Sequence, residues 1–191
     1  MSVGALLVVA LALGQAVERF LPSRDDTLRP FERAGVVGEP LSLRYGTIEV
    51  GQPDGSTVLH APGGVYSTTG VYVVVPITFT AKGEPQPLAY VAIRDAEGRV
   101  YRAGSRRNPW SMLGAAQPGI PRQAQIAVEL PVDAVAGAQV VLAPRPNDMD
   151  HRRDDVAVVD LGLTATDAQE WATDDDGVTL EPAYDGERPP S

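Results

Sequence analysis

The chain has 191 residues, 43% of them hydrophobic, and a formal net charge of -9. This length suits one domain with its own core plus short flanking segments. The absence of cysteine excludes a disulfide framework, a thiol nucleophile and a thiolate metal site, and two histidines far apart in sequence exclude a multi-histidine metal site.

The negative charge is concentrated at the C-terminal end. Residues 164–191 carry eight acidic residues and one basic residue, whereas the other 163 residues carry 17 acids and 15 bases. The body is therefore close to neutral and has no basic stripe with which to neutralise phosphates. We expect no nucleic-acid partner.

The first element in chain order is an uncharged apolar run at residues 3–17. A helix over residues 1–21, ended by Pro22, would be about 31 Å long, and a hydrocarbon core is about 30 Å thick. We predict an N-terminal transmembrane anchor at 1–21. A cleaved signal peptide, which would lack the usual basic start, and a helix buried against protein are the alternatives.

Two features of the sequence predict opposite membrane orientations. No basic residue precedes the run, while four arginines follow it by residue 33, and the positive-inside rule would place that C-terminal side in the cytoplasm. A β domain behind an N-terminal apolar segment is more often exported. We expect a single-pass protein of the cell membrane with its β domain on the extracytoplasmic side.

Residues 22–39 are polar and predict a juxtamembrane linker, and the folded domain is predicted at 40–163. Residues 70–81 give the strongest strand, in which Pro76 indicates an edge or a bulge. Residues 51–64 and 102–121 are rich in Gly and Pro and predict loops. The other predicted strands are 41–50, interrupted at Gly46, and 88–95, 100–101, 124–130, 139–143 and 156–163.

About seven short strands, separated by turn signals and without a convincing helix, predict an all-β fold. We predict an immunoglobulin-like antiparallel β-sandwich. The acidic tail at 164–191 is predicted to be disordered, because it has too little apolar surface to offset its ordering entropy.

Three segments resemble a known family. They are the strand 72–80 (YVVVPITFT), the hairpin 94–101 (RDAEGRVY), and Pro118-Gly119 before the strand 124–130. In these motifs the chain resembles DUF4352 domains, whose immunoglobulin-like fold is shared with a secreted mycobacterial immunoprotective antigen. The resemblance covers roughly residues 40–163. It implies a sandwich fold and no catalytic residues, since the family has none established.

The candidate partner-binding residues are Arg106, Arg107 and Trp110, in the Gly/Pro-rich loop. Arg and Trp are enriched at the energetic centres of protein interfaces, and a loop Trp can also sit at a lipid interface. The alternative is a Trp folded back to plug the end of the sandwich, because Trp is readily buried.

The weak candidates for cation ligands are Asp148, Asp150 and Asp154, followed by Asp155. A calcium site needs six to eight oxygens, and the glycine and terminal glutamate of an EF-hand are missing here. The simpler interpretation is a polar turn in which Arg152 and Arg153 pair with the aspartates.

We find no catalytic constellation. Ser105 or Ser111 could be combined with His151 into a triad on paper, but no G-x-S-x-G elbow exists. We expect no enzyme and no cofactor. The sequence favours a membrane-anchored, non-catalytic sandwich that binds a protein partner in the cell envelope, with small-molecule or cation binding by the 148–155 loop as the alternative.

Overall fold

The computed structural model describes residues 29–106, 108–111, 113–146, 151 and 154–187. The predicted anchor at 1–21, together with Arg107, Asp148 and Asp150, lies outside the described residues. Within the described ranges the chain forms fourteen strands, one α-helix and one 3-10 helix, so the all-β prediction is confirmed. No helix of this part is long and apolar enough to cross a membrane.

The first sheet has five strands. Their spatial order is β1 (Phe31–Val36), β12 (Asp155–Asp160), β11 (Gln139–Ala143), β7 (Tyr90–Arg94) and β8 (Val100–Arg102). The neighbours are antiparallel except β1 and β12, which run parallel. The prediction of a linker at 22–39 is therefore wrong for the residues of β1, and the sandwich is not purely antiparallel.

The second sheet has seven strands and is centred on the 18-residue strand β5. Its order is β13 (Val178–Thr179), β4 (Asp54–Ala61), β5 (Gly64–Ala81), β10 (Arg122–Leu130) and β14 (Tyr184–Asp185). The far end of β5 also pairs with β3 (Gly46–Val50), which forms a hairpin with β2 (Leu41–Leu43). A small third sheet joins β6 (Gln86–Pro87) to β9 (Ala115–Ala116).

One hydrophobic core lies between the two large sheets. The predicted alternation is confirmed on β5 and β10, since every second residue of β5 from Val71 onward and of β10 from Ala124 onward enters this core. The first sheet contributes the matching positions of β7, β11 and β12. The core residues of these five strands are Val71, Val73, Val75, Ile77, Phe79, Ala81, Ala124, Ile126, Val128, Leu130, Val91, Ile93, Val140, Leu142, Ala157 and Val159.

Pro76, predicted to lie at an edge or a bulge, lies in the central strand β5, away from the outer edges of the sheet. The Gly51 amide donates to the Pro76 carbonyl oxygen at 2.8 Å, and the nitrogen of a strand residue faces the same side as its own carbonyl. On that side the partner of β5 changes from β4 to β3. The missing N–H of Pro76 therefore faces this junction, and its pairing with β10 is not weakened.

The predicted loop at 51–64 is wrong, because Asp54–Ala61 form β4 and pair with β5. The interruption at Gly46 is the start of β3 after a tight turn. A Cβ atom at Gly46 would lie 2.5 Å from the Thr80 carbonyl oxygen, so the close approach of β3 to β5 requires glycine here.

The prediction of a disordered tail is wrong for its described residues. Helix α1 (Ala165–Trp171) begins with a capping box between Thr164 and Asp167. The chain then crosses the outer face of the second sheet, pairing with β4 through β13 and with β10 through β14. Val178 and Leu180 are buried there in a second apolar cluster with Leu59, Tyr72, Val74 and Ala127.

Candidate functional site

The Trp110 loop runs along the free side of β10. The Trp110 carbonyl accepts the Ala127 amide at 3.1 Å, and Ser111 forms a bridge with Ile126. The side-chain oxygen of the buried Asn108 accepts the Glu129 amide at 2.8 Å. These bonds hold the loop as an extra edge strand, which fixes the position of the Trp110 side chain.

The indole ring of Trp110 folds back onto the outer face of the second sheet. Its centroid lies 5.0 Å from that of Tyr66 and 5.5 Å from that of Tyr72, edge to face in both cases. Trp110 is half-buried. The ring therefore folds back onto the protein, but it covers a sheet face and does not plug the end of the sandwich, and the prediction that Trp110 binds a partner stays a prediction.

Two exposed apolar residues lie at the end of the β4–β5 hairpin, and one of them, Tyr66, contacts this ring. Val65 is 64% exposed and Tyr66 37%. Both follow the two-residue turn Pro62-Gly63, in which Gly63 has φ +104°. Tyr66 faces Trp110, whereas Val65 points to the other face of the hairpin, since successive strand residues alternate. We call Val65, Tyr66 and Trp110, which together surround the tip, the hairpin-tip surface.

A bulge separates this hairpin tip from the sandwich. Residues 68–71 of β5 lie opposite Thr57 alone, because the register shifts between Ser56 and Val58. At the bulge a Cβ atom on Gly70 would lie 2.2 Å from the Leu130 carbonyl oxygen. The bulge lets β5 pass close to β10 and carries the tip away from the core.

A cleft of about 330 Å³ lies at this bulge. The Thr68 hydroxyl donates to the Glu129 carboxylate at 2.5 Å. Burial, and after it the negative charge of Glu129, raises the pKa of Tyr72. The carboxylate of Glu129 therefore lies close to Tyr72, whose ring contacts Trp110. The lining of the cleft includes Thr69, Gly70, Tyr101, Asn108, Glu129 and Val132.

Of the predicted partner-binding residues, Arg106 is exposed and Arg107 lies outside the described residues. The Ser105 hydroxyl donates to the Arg102 carbonyl at 3.0 Å and accepts the Asn108 amide at 3.1 Å. These bonds anchor the loop between Arg106 and Trp110. Val65 and Tyr66 were missed from the sequence, although a Pro-Gly-Gly turn between alternating apolar residues is a hairpin signal.

Of the cation candidates, only Asp154 is described, and it is paired with an arginine. Its carboxylate accepts from Arg44 at 2.6 Å, while the carboxylate of Asp155 accepts from Arg33 at 3.1 Å. The expected partners Arg152 and Arg153 lie outside the described residues. In the described part of the chain, no group of three or more His, Cys, Asp or Glu side chains could hold a metal ion.

The serine and histidine residues of the hypothetical catalytic triad make other contacts. Nε2 of the buried His151 is 2.7 Å from the Arg145 carbonyl, and its ring packs edge to face on Tyr90 of the first sheet. Ser111 lies along the second sheet. The structure therefore does not bring Ser111 and His151 together.

The remaining buried carboxylate belongs to the β7–β8 hairpin. Asp95 accepts the amides of Glu97 and Arg99 at 3.1 and 2.8 Å, and the Arg99 guanidinium pairs with it as well. Burial alone would raise the pKa of Asp95, but the hydrogen bonds from Arg99 and its charge lower the pKa overall. This carboxylate stabilises the predicted Asp95–Gly98 turn, in which the Gly98 amide donates to the Asp95 carbonyl.

The fold defines this chain as a two-sheet β-sandwich protein. No protein-family model matches it, and no curated protein matches it. The resemblance to DUF4352 domains therefore stays a prediction.

Two solved structures are similar to the chain. The yjhA protein from Bacillus subtilis is 12% identical with a TM-score of 0.47, over 66% of this chain and 99% of that one. An uncharacterized β-sandwich protein from Clostridium difficile 630 is 10% identical with a TM-score of 0.44, over 70% of this chain and 96% of that one. Similarities this low carry no information about function.

Proposed function

We propose that this protein is a membrane-anchored, non-catalytic β-sandwich module that binds a protein partner in the cell envelope through its hairpin-tip surface. The observation that supports this proposal most is the exposure of Val65 and Tyr66 at the hairpin tip, where Tyr66 contacts Trp110. Large apolar side chains exposed together, with polar residues around them, mark interaction sites.

The make-up of this surface favours a protein partner. Tyr and Trp supply large contact areas at a low cost in conformational entropy and dominate interface energetics. The exposed Arg106 adds a charged group on the same loop as Trp110. At the bulge, the carboxylate of Glu129 provides a polar acceptor at the rim. The hairpin-tip surface would form the apolar centre of the contact, with these charged groups around it.

The proposal of a non-catalytic role is supported by how the buried ionisable groups are used. Asp95 and Asp155 are both engaged with arginine side chains and backbone amides. His151 is held by the Arg145 carbonyl. A general acid or base must exchange a proton with its substrate. A group whose hydrogen bonds are already made within the fold is poorly suited to that role.

Membrane placement and family membership are further parts of the proposal. The anchor depends on the apolar run at 3–17. Relatedness to DUF4352 domains is supported by the Asp95–Tyr101 hairpin, whose turn is stabilised by Asp95. No contact in the described residues favours the alternative of cation binding, because Asp154 and Asp155 already pair with Arg44 and Arg33.

The test compares two valines of similar exposure. Val65→Asp places a charge at the hairpin tip, and Val100→Asp places it on β8, where Val100 is 50% exposed. The full chain is cross-linked in native cells and purified with its partners. We expect Val65→Asp to reduce recovery of a specific partner about tenfold or more and Val100→Asp to leave it unchanged. Equal recovery with both variants, or no specific partner at all, would contradict the proposal.

A further inference from the structure

Strand β1 ends the five-stranded sheet with an open edge. Among the described residues, no strand pairs with the side of β1 that faces away from β12. The other edges are shorter or covered. Strand β8 has three residues, and the free side of β10 is covered by β14 and the Trp110 loop. An open edge of six residues is a template for pairing with another strand.

The backbone of β1 presents alternate residues to this edge. The Phe31 amide donates to the Asp154 carbonyl at 2.8 Å, so Phe31, Arg33 and Gly35 direct their amides and carbonyls towards β12. Glu32, Ala34 and Val36 therefore direct theirs outward.

The two charged side chains of β1 do not protect its open edge against pairing with another strand. Arg33 pairs with Asp155 and Glu32 pairs with Arg94, both at 3.1 Å and both within the same sheet. Natural edge strands are usually protected by free charges, proline or a bulge, and β1 has neither proline nor bulge. The ends of the strand are apolar and exposed, with Phe31 at 57% and Val36 at 48%.

We propose that β1 pairs with β1 of a second copy of this chain, antiparallel, about a two-fold axis through Ala34. This register places Ala34 opposite Ala34 and Glu32 opposite Val36. These residues are the ones whose backbone groups face outward, so the Ala34 pair exchanges two hydrogen bonds. In each Glu32–Val36 pair the Val36 amide donates to Glu32, while the Val36 carbonyl also accepts the Glu39 amide of its own chain at 3.3 Å. The first sheets of the two copies join into one continuous sheet, with the same surface used by both.

The side chains of β1 select this register over its neighbours. An axis through Arg33 places two arginines directly opposite each other, which is unfavourable. An axis through Gly35 aligns fewer residues of the strand. With Ala34 on the axis, Arg33 faces Gly35, which has no side chain to meet it, and small methyl groups meet at the centre.

Single cysteines test this register, because the chain has no native cysteine. Opposed residues of a hydrogen-bonded pair have Cα atoms about 5.5 Å apart, which a disulfide can span. In the full chain under mild oxidation, Ala34→Cys should form a disulfide dimer. Val36→Cys should not, because the two copies of residue 36 would lie more than about 13 Å apart.

A cross-link at position 36, or one formed with Arg33→Cys in preference to Ala34→Cys, would overturn the proposed register. Absence of any cross-link, with a monomeric mass for the unmodified chain, would overturn the pairing itself. Ala34→Pro removes the outward N–H at the axis and should weaken self-association about tenfold or more. Ala34→Ser keeps that N–H and serves as the matched control. Equal association of these two variants would also contradict the proposal.

Discussion

At the scale of single residues, Tyr45 is the clearest exception to the rule that buried polar groups are hydrogen-bonded. Among the described residues, its hydroxyl is the buried side-chain group without a hydrogen-bond partner, while its ring packs edge to face on Phe79. A buried, unpaired hydroxyl costs free energy that a hydrogen atom in its place would not. The ring accounts for the presence of an aromatic residue, and the hydroxyl makes no contribution that we can identify.

We expect Tyr45→Phe to leave the free energy of unfolding unchanged or to raise it by up to about 1 kcal/mol. Denaturant unfolding at neutral pH measures this change. Tyr101→Phe is the control, because its hydroxyl lies 3.5 Å from the Asp95 carboxylate. A loss of stability larger in Tyr45→Phe than in the control would show that the Tyr45 hydroxyl has a partner.

The same variant has a predicted effect at alkaline pH. Burial, and then the charges of Asp154 and Asp155, raise the pKa of Tyr45. The folded state thus disfavours the phenolate, and stability falls as pH rises above the unfolded value of about 10. Each such group adds up to about 1.4 kcal/mol per pH unit to the slope. Tyr45→Phe should make the alkaline loss shallower, and an unchanged slope would contradict the assignment.

At the scale of elements, the strands predicted from sequence are those with sustained alternation. Strands β5 and β10 were predicted because four or more apolar positions repeat at a period of two. Strand β1 was missed, since its charged sequence is stabilised by pairing with β12, more than 100 residues away. Strand β4 was missed because its first residues are Asp, Gly, Ser and Thr, which are typical of loops.

The order of the tail was not predicted, because it depends on a few specific contacts that a polar composition does not reveal. The Asp174 carbonyl accepts from the side chains of Ser56 and Thr57 and from the Thr57 amide, at 2.7–3.0 Å. Trp171 lies against Gly55, where a Cβ atom would come within 2.4 Å of the indole ring. A segment that is polar on average is thus ordered by a small number of specific contacts with β4.

Deleting residues 164–191 tests this role of the tail. The deletion removes Val178 and Leu180 from the second apolar cluster, at about 1.5–3 kcal/mol for each side chain. That sum is a large share of a domain's stability, so we expect cooperative unfolding to be lost or shifted to much lower denaturant. Deleting only residues 188–191 is the control and should change nothing. Equal stability of the two truncated chains would contradict the tail's role.

At the scale of the whole molecule, the acidic segment is part of the sandwich surface. After helix α1, which packs against the main core, the chain crosses the outer face of the second sheet and displays exposed carboxylates there, including Glu181 and Asp185. The charge asymmetry predicted from sequence is therefore an asymmetry between faces of one domain. Trp110 of the hairpin-tip surface packs against the apolar cluster that this segment completes.

Only part of the candidate site could be predicted from the sequence. Trp110 and Arg106 are conspicuous residue types in a loop, and composition alone singled them out. Val65 and Tyr66 were not identified, since their exposure depends on a hairpin and a bulge that only the pairing of β4 with β5 defines. Sequence patterns report local periodicity, whereas this surface is made by contacts between segments more than 40 residues apart.

A photoactivatable cross-linking residue at position 65 of the full chain, in native cells, tests the binding surface most directly. Position 100 is the matched control, because Val100 is similarly exposed on a different strand. We predict a discrete cross-linked species from position 65 that is absent from position 100. The same pattern from both positions, or no cross-linked species from position 65, would contradict binding through the hairpin-tip surface.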